Sequence, residues 1–441
     1  MKSIKFIDLF SGIGGFRLGF ESACKSLNIN PECVFSSEIK KEAVDTYKIN
    51  FSENNIFGDI TKIKASKIPN FDVLLAGFPC QSFSSAGVRK GFLDTRGTLF
   101  FDIQRILKEK KPKGFILENV EGLINHDREN VKDAIGNTLS IILKILESLN
   151  YKVSYSLLNS KNFGLAQDRN RIFIVGTKKN LVSLEGFSKR TAVFGDIMDK
   201  GIKVEETDFV KLLLKRFSPK ELHGKSIKDK RGGDDNIHSW DLEIKGKVSK
   251  EQKKLLNALL KQRRRKVWAE ANDLDWMDGM ALSLNQIYSF YCQPNLFEKT
   301  LEKKELKLLL DDLVKKGYLS YEHPKFLKKK KHMGGKIFVR EEDKTLPKGY
   351  NIVVGKLSFE FSKIVDPKGL TPTLVSTDMD RIGIVDSNNI RKLTVNECLR
   401  LFGFPKTYKL DLPIRKTYNL FGQSVPIPVV REVSKRLLEN I

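Results

Sequence analysis

A chain of 441 residues is longer than a single hydrophobic core usually serves, so two domains are expected. Its 78 Lys and Arg outweigh 54 Asp and Glu, and the resulting formal charge of +24 favours a polyanionic partner, nucleic acid ahead of an acidic membrane surface. Cys24, Cys33, Cys80, Cys292 and Cys398 form no C-x-x-C pair and the five histidines are scattered, which argues against a disulfide framework and against a metal site.

In chain order, Met1 to Lys5 leads straight into a strand without the apolar stretch of a signal peptide, and no later run approaches the ~20 apolar residues of a membrane span. A soluble protein of a reducing compartment is expected. Up to Gly176 short apolar strands alternate with amphipathic helices, the pattern of a parallel α/β sheet. The predicted strands are Ile4 to Leu9, Val34 to Ser37, Val73 to Ala76, Phe115 to Leu117, Val153 to Leu158 and Ile172 to Val175. Helices are predicted at Leu99 to Lys110, stopped by Pro112, and at Val131 to Leu149, where apolar residues recur every three or four positions. Beyond Gly176 strands become hard to find and basic residues rise over a stretch too long for a loop. This places a first domain at 1–176, a second at 177–390 and a returning segment at 391–441, with helices at Arg391 to Phe402 and Arg431 to Glu439.

The residues that carry chemistry cluster in the first domain. Phe78-Pro79-Cys80-Gln81-Ser82 follows the apolar run Phe71 to Ala76, so the strand would hold the Cys80 sulfur while the loop beyond it moves. A thiol with a pKa of about 8.5 is mostly protonated at neutral pH and needs an acid on its electrophile, for which Glu118 is the candidate. The glycines of Asp8 to Phe16 leave the first strand as a tight turn that lets a ligand approach backbone amides and the following helix N-terminus. Glu38 ends the second strand, where a carboxylate can grip ribose hydroxyls, and Asp59 could accept from an adenine amino group.

FIDLFSGIGGFRLGF (Phe6 to Phe20), GFPCQSFS (Gly77 to Ser84), ENV (Glu118 to Val120), QDRNRIFIVG (Gln167 to Gly176) and RKLTVNECLRLFGFP (Arg391 to Pro405) together resemble the motifs of the cytosine-C5 DNA methyltransferases, in the family's order. The resemblance covers the first 176 residues and the last fifty, but not the middle. It implies a Rossmann-like S-adenosylmethionine-dependent methyltransferase domain of α/β class with a smaller, mixed target-recognition domain. It also implies a reaction: Cys80 adds to C6 of a cytosine, Glu118 serves N3, and C5 takes a methyl group from S-adenosylmethionine. Arg171 would contact the base and orient Glu118 and Cys80, and Arg169 would meet a phosphate. The cofactor contacts implied by position are Phe10, Gly12, Gly14, Glu38, Asp59, Ile60, Leu99, Ser424 and Val425. Two positions depart from the family: Gln423 stands where Asn is usual, and Lys40 where an acid is frequent.

Because C6 is hidden in a duplex, the cytosine must be turned out, and Gln81 to Thr98, with Arg89 and Arg96, has the composition of a loop that closes over it. The middle segment takes the place of the recognition domain; Arg263, Arg264 and Arg265 are expected at phosphates, with Trp268, Trp276 and Tyr288 stacking or packing nearby and Lys328 to Lys331 as a second basic run. Gly369 to Leu374 resembles the stretch that returns to the shared core. The implied partner is double-stranded DNA, bound by a monomer in the cytoplasm at the nucleoid, with a cognate restriction endonuclease acting separately. The short lead before the first motif favours a restriction-modification or orphan enzyme over a multidomain chromatin enzyme. A tRNA cytosine methyltransferase and a non-catalytic DNA-binding relative are the alternatives; intact Cys80, Glu118 and Arg171 speak against the second.

Overall fold

The computed structural model describes residues 2–52, 56–79, 99–128, 130, 133–229, 235–274, 279–292, 301–332, 335–354 and 359–441, and their side chains except those of 327, 329–332 and 335–338. Cys80, Arg89 and Arg96 lie outside the described residues, as does Trp276.

The first part of the chain runs β1 (Lys2–Leu9), α1 (Gly15–Ser26), β2 (Ile29–Ser37), α2 (Lys41–Phe51), β3 (Ile56–Phe57), β4 (Val73–Gly77), α3 (Leu99–Lys110), β5 (Gly114–Val120), α4 (Asn137–Ser148), β6 (Lys152–Asn159) and β7 (Asn170–Thr177). These strands form one sheet in the order β3-β2-β1-β4-β5-β7-β6. Period-two alternation divides its residues between two faces. Ile7, Leu9, Leu74, Ala76, Phe115 and Leu117 are buried with α3 and α4, whereas Phe6, Val73, Leu75, Ile116 and Phe173 are buried on the other side with α1.

The sheet departs from the expected parallel arrangement at one edge. β1 pairs in parallel with β2 and β4, and β4 with β5, but β7 runs antiparallel to both β5 and β6. An apolar run reports burial and carries no direction, so the pattern of Ile172 to Val175 could not reveal the reversal. The reversal has a consequence for position: Val120, at the end of β5, faces Arg171, at the start of β7. The chain also changes sides between β1 and β4, and this switch opens a crevice at the carboxyl ends of the strands.

The chain divides into two compact units: residues 1–201, 366–380 and 392–441 make the first, and 202–365 with 381–391 the second. The boundaries therefore differ from an expected middle domain of 177–390. Within the first unit, Phe194 N–H donates to Gly369 O at 2.9 Å, Gly195 N–H to Pro367 O at 2.7 Å, and Asp168 N–H to Thr371 O at 2.9 Å.

The second unit contains α5 (Asp208–Arg216), α6 (Pro219–Leu222), β8 (Ser226–Ile227), β9 (Asn236–Ile237), α7 (Lys250–Gln262), α8 (Lys266–Glu270), α9 (Leu284–Tyr291) and α10 (Lys303–Lys315). It continues with β10 (Leu319–Glu322), β11 (Lys325–His332), β12 (Gly335–Glu342), β13 (Gly349–Ile352), β14 (Lys363–Ile364), β15 (Ile382–Asp386) and β16 (Asn389–Lys392). One core gathers Trp240, Leu255, Leu259 and Leu310 with Tyr350, and another gathers Val210, Leu213 and Ile227 with Ile364.

Three helices, α11 (Val395–Phe402), α12 (Ile414–Gly422) and α13 (Ile427–Leu438), return to the first unit. The helix expected from Arg391 starts later because Thr394 caps it: Thr394 Oγ accepts from Glu397 N–H at 3.0 Å while Glu397 Oε2 accepts from Thr394 N–H at 2.8 Å. Val429, Val430, Val433 and Leu437 of α13 share the buried cluster of Phe16 and Phe20.

Candidate functional site

The crevice is built first by the loop leaving β1. Its backbone takes positive φ at Phe10 (55°), Gly12 (53°) and Gly14 (78°), and Gly14 N–H donates to Ser11 O at 2.8 Å to close the turn. At Gly14 glycine is required twice over, since a Cβ there would lie 2.2 Å from the Phe51 ring as well as force a left-handed backbone on an L residue. A Cβ on Gly15, the first residue of α1, would lie 2.9 Å from Val425 Cγ2, so the start of α1 packs closely on the side chains of the segment after α12.

Glu38, at the end of β2, fixes the loop from the other side. Its Oε2 accepts from Gly12 N–H at 2.9 Å, and its Oε1 accepts from Ile39 N–H and Lys40 N–H at 2.9 Å each. A carboxylate offers about four lone-pair positions, so this one keeps room for one further donor such as a hydroxyl. A cleft results, walled by Phe10, Gly12, Phe16, Glu38, Gly77 and Val425 among others. Ser424 lines it too, and so do Lys40 and Gln423, the two departures from the family pattern.

Five of the nine expected cofactor contacts, Phe10, Gly12, Glu38, Ser424 and Val425, thus meet at one cleft. Gly14 is the N-cap of α1. Asp59 caps a short turn, accepting from Thr61 N–H at 3.0 Å and from Thr61 Oγ at 2.7 Å, and these bonds hold its carboxyl below the usual range. Ile60 is buried in the sheet core, and Leu99 packs against that same core. The four are not among the walls of the cleft.

Beyond Gly77 the crevice meets the carboxyl end of β5. Glu118 is buried, and its Oε1 pairs with Arg171 Nε at 2.9 Å. The pairing follows from register, because the reversed β7 brings Arg171 beside the end of β5. Burial pushes the Glu118 pKa up, and the Arg171 and Arg169 cations oppose it without cancelling it. On the parallel side Glu118 is level with Gly77, where a Cβ would lie 3.3 Å from Glu118 Oε2. Asn119, quoted in the sequence only as a motif neighbour, donates from Nδ2 to Phe78 O at 3.1 Å and so ties the segment that leads to Cys80 onto β5. Periodicity can suggest both strands but not their register, which is what creates this bond.

Arg169 is a correction to the expected phosphate contact. It is 1% exposed and donates to Leu374 O at 2.8 Å, Gly422 O at 3.1 Å and Ser424 O at 2.8 Å. Burial and the nearby Arg171 lower its pKa to about 9, leaving it charged at neutral pH. Its guanidinium therefore clamps the loop that walls the cleft. Gln167 works beside it, donating from Nε2 to Leu401 O at 3.2 Å.

Arg263 is a second correction. It is buried at the end of α7 and donates to Asn351 Oδ1 at 2.6 Å, so the first arginine of the run holds the interior of its unit together. Arg264 is half-buried and Arg265 exposed. Trp268 and Tyr288 pack against the core of the second unit, the former 6.0 Å from the Phe290 ring. Among the described cysteines, burial raises the thiols of Cys24 to about 12 and Cys33 to about 11, and also raises those of Cys292 and Cys398, so none of the four is a ready thiolate. Among the described residues no group of three or more His, Cys, Asp or Glu could hold a metal, and no helix is long and apolar enough to cross a membrane.

The family model for C-5 cytosine-specific DNA methylases matches residues 4–439. The chain is 52% identical to the Type II methyltransferase M.NlaIV of Neisseria lactamica over the full length of both. It is 40% identical to M.BanI of Aneurinibacillus aneurinilyticus, with 99% of this chain and 96% of that one covered. Among solved structures, the Entamoeba histolytica methyltransferase EhMeth superposes with a TM-score of 0.51 at 17% identity, over 100% of this chain and 99% of that one, a likeness of fold.

Proposed function

The chain belongs to the C-5 cytosine-specific DNA methylases, and from that premise we propose that it methylates C5 of a cytosine turned out of duplex DNA at a specific sequence, as the modification activity of a restriction-modification system. The observation that carries the detailed reading is the buried Glu118 at the end of β5, paired with Arg171 and level with the strand that leads to Cys80. Burial raises the pKa of this carboxyl, the direction that a proton donor to N3 requires. In the proposed reaction the Cys80 thiolate forms a bond to C6 while Glu118 protonates or hydrogen-bonds N3, which places electron density on C5. Arg171 keeps the Glu118 carboxyl pointed at the base. After methylation a base removes the C5 proton, the electrons re-form the C5–C6 double bond and Cys80 leaves as thiolate.

S-adenosylmethionine supplies the electrophilic methyl group when bound. The cleft suits it: Gly12 leaves open space beside its backbone, Glu38 has acceptor capacity left for a ribose hydroxyl, and Ser424 and Val425 form the far wall. Turning the base out costs a few kcal/mol, and positive side chains contacting phosphates hold the duplex during that step. The proposed role in the cell is to protect host DNA from a cognate endonuclease.

Bisulfite sequencing of plasmid from cells expressing the chain identifies the methylated site. Duplex DNA carrying 5-fluorocytosine there is expected to form a denaturation-resistant adduct with the wild type and none with Cys80→Ser. Methylation at the site without any adduct would overturn the covalent mechanism. Labelling of tRNA in preference to duplex DNA would overturn the substrate.

A further inference from the structure

Lys40 and Gln423 lie 383 positions apart, yet the Lys40 ammonium donates to Gln423 Oε1, and both side chains line the cleft. Each stands on a backbone that is held. Lys40 N–H is fixed by the Glu38 carboxylate at 2.9 Å, and Lys40 O accepts from Val44 N–H at 2.9 Å in the first turn of α2. Gln423 is flanked by the two carbonyls, Gly422 O and Ser424 O, that Arg169 clamps, and its own N–H donates to Leu420 O at 3.3 Å. The backbones cannot part easily, but the two side chains can swing, since Lys40 is only half-buried and Gln423 is exposed.

We propose that the Lys40–Gln423 bond is a latch across the cofactor cleft, a pair of positioning residues that set how long the bound nucleoside–amino acid stays. The proposal rests on the reading that this cleft binds S-adenosylmethionine. It accounts for both departures together: a longer amide at 423 spans to a cation at 40, so each substitution makes sense in the presence of the other. A side-chain bridge over a filled cleft must break before the ligand leaves, and its loss therefore acts on dissociation more than on association.

The test is a double-mutant cycle on the full-length protein, reading release of tritiated S-adenosylmethionine after a chase with unlabelled cofactor. Lys40→Met and Gln423→Met are each expected to speed release about three- to tenfold, the scale of one partly exposed charged hydrogen bond. The double variant is expected to release no faster than the faster single one. Gln423→Glu converts the bridge to an ion pair and is expected to slow release, an effect that fades as salt rises from roughly 50 to 500 mM and vanishes in a Lys40→Met background. Tight wild-type binding with unchanged release in the singles, or with additive effects in the double, overturns the latch and leaves the cleft assignment standing. Absence of cofactor binding by the wild type overturns both.

Discussion

At Glu118 two opposing forces act on one carboxyl, and the balance sets the pH range over which the proposed acid is protonated. Burial raises its pKa and the Arg171 cation lowers it. Activity is therefore expected to fall as pH rises through that pKa. In Arg171→Ala the fall should move to higher pH, because the cation that favoured ionisation is gone, while the maximal rate drops at least tenfold from loss of orientation. A limb that moves down instead would show that Glu118 is not the group titrating. Asp8 offers a separate test of burial. It is fully enclosed at the end of β1, beside the glycine loop, with Tyr47 Oη donating to its Oδ2 at 3.2 Å, and desolvation raises its pKa from 3.8 to about 7. Between those values the unfolded chain gives up the proton and the folded one keeps it, so stability is lost as pH rises from about 4 to about 7 and then levels off. Asp8→Asn should remove roughly 2 kcal/mol of this decline between pH 5 and pH 8, read from urea midpoints.

Among the elements, the antiparallel β7 and its lead-in supply both arginines of the site, Arg169 and Arg171. Arg169 joins β7 to Leu374 and to the loop after α12 through three carbonyls. Arg169→Met would leave those acceptors buried without donors, and a loss of about 3 kcal/mol is expected by chemical denaturation, together with weaker cofactor binding. Preserved stability would mean that water or a shifted backbone replaces the clamp. The strands themselves were legible in the sequence because a sheet covered on both faces needs unbroken apolar runs, and Val73 to Ala76 or Phe115 to Leu117 admit little else. Only the second half of β2 was legible, since Pro31 argues against a strand; it is tolerated where β2 has β1 beside it and β3 reaches only Ser36 and Ser37. Glu118 and the glycine loop were legible as residue types at strand ends. The roles of Arg169 and Arg263 were not, because a sequence gives the charge of an arginine and not whether carbonyls or phosphates surround it.

For the whole molecule the charge of +24 favours a polyanionic partner, and the phosphates contacted set the expected salt response. The logarithm of DNA affinity should fall against the logarithm of salt by about 0.9 per phosphate contacted. Replacing Arg264 and Arg265 by alanine is expected to flatten that slope by up to about 2 if both track the backbone. Arg263→Ala should instead destabilise the second unit and leave the slope of the remaining folded protein unchanged. Equal effects of all three on the slope would contradict the burial of Arg263. The interleaving of the two compact units along the chain also has a consequence for biosynthesis. The face of the sheet bearing Phe6, together with Phe16 and Phe20 of α1, is covered by Val429, Val430 and Val433 of α13. Translation proceeds at about 5–20 residues per second, so α13 leaves the ribosome on the order of 20–80 s after α1. For that interval the nascent chain carries an open apolar groove and lacks Ser424 and Val425, the far wall of the cleft proposed for the cofactor. A ribosome stalled while residues 424–438 are still inside its exit tunnel is therefore expected to display a chain that recruits chaperones and retains no S-adenosylmethionine.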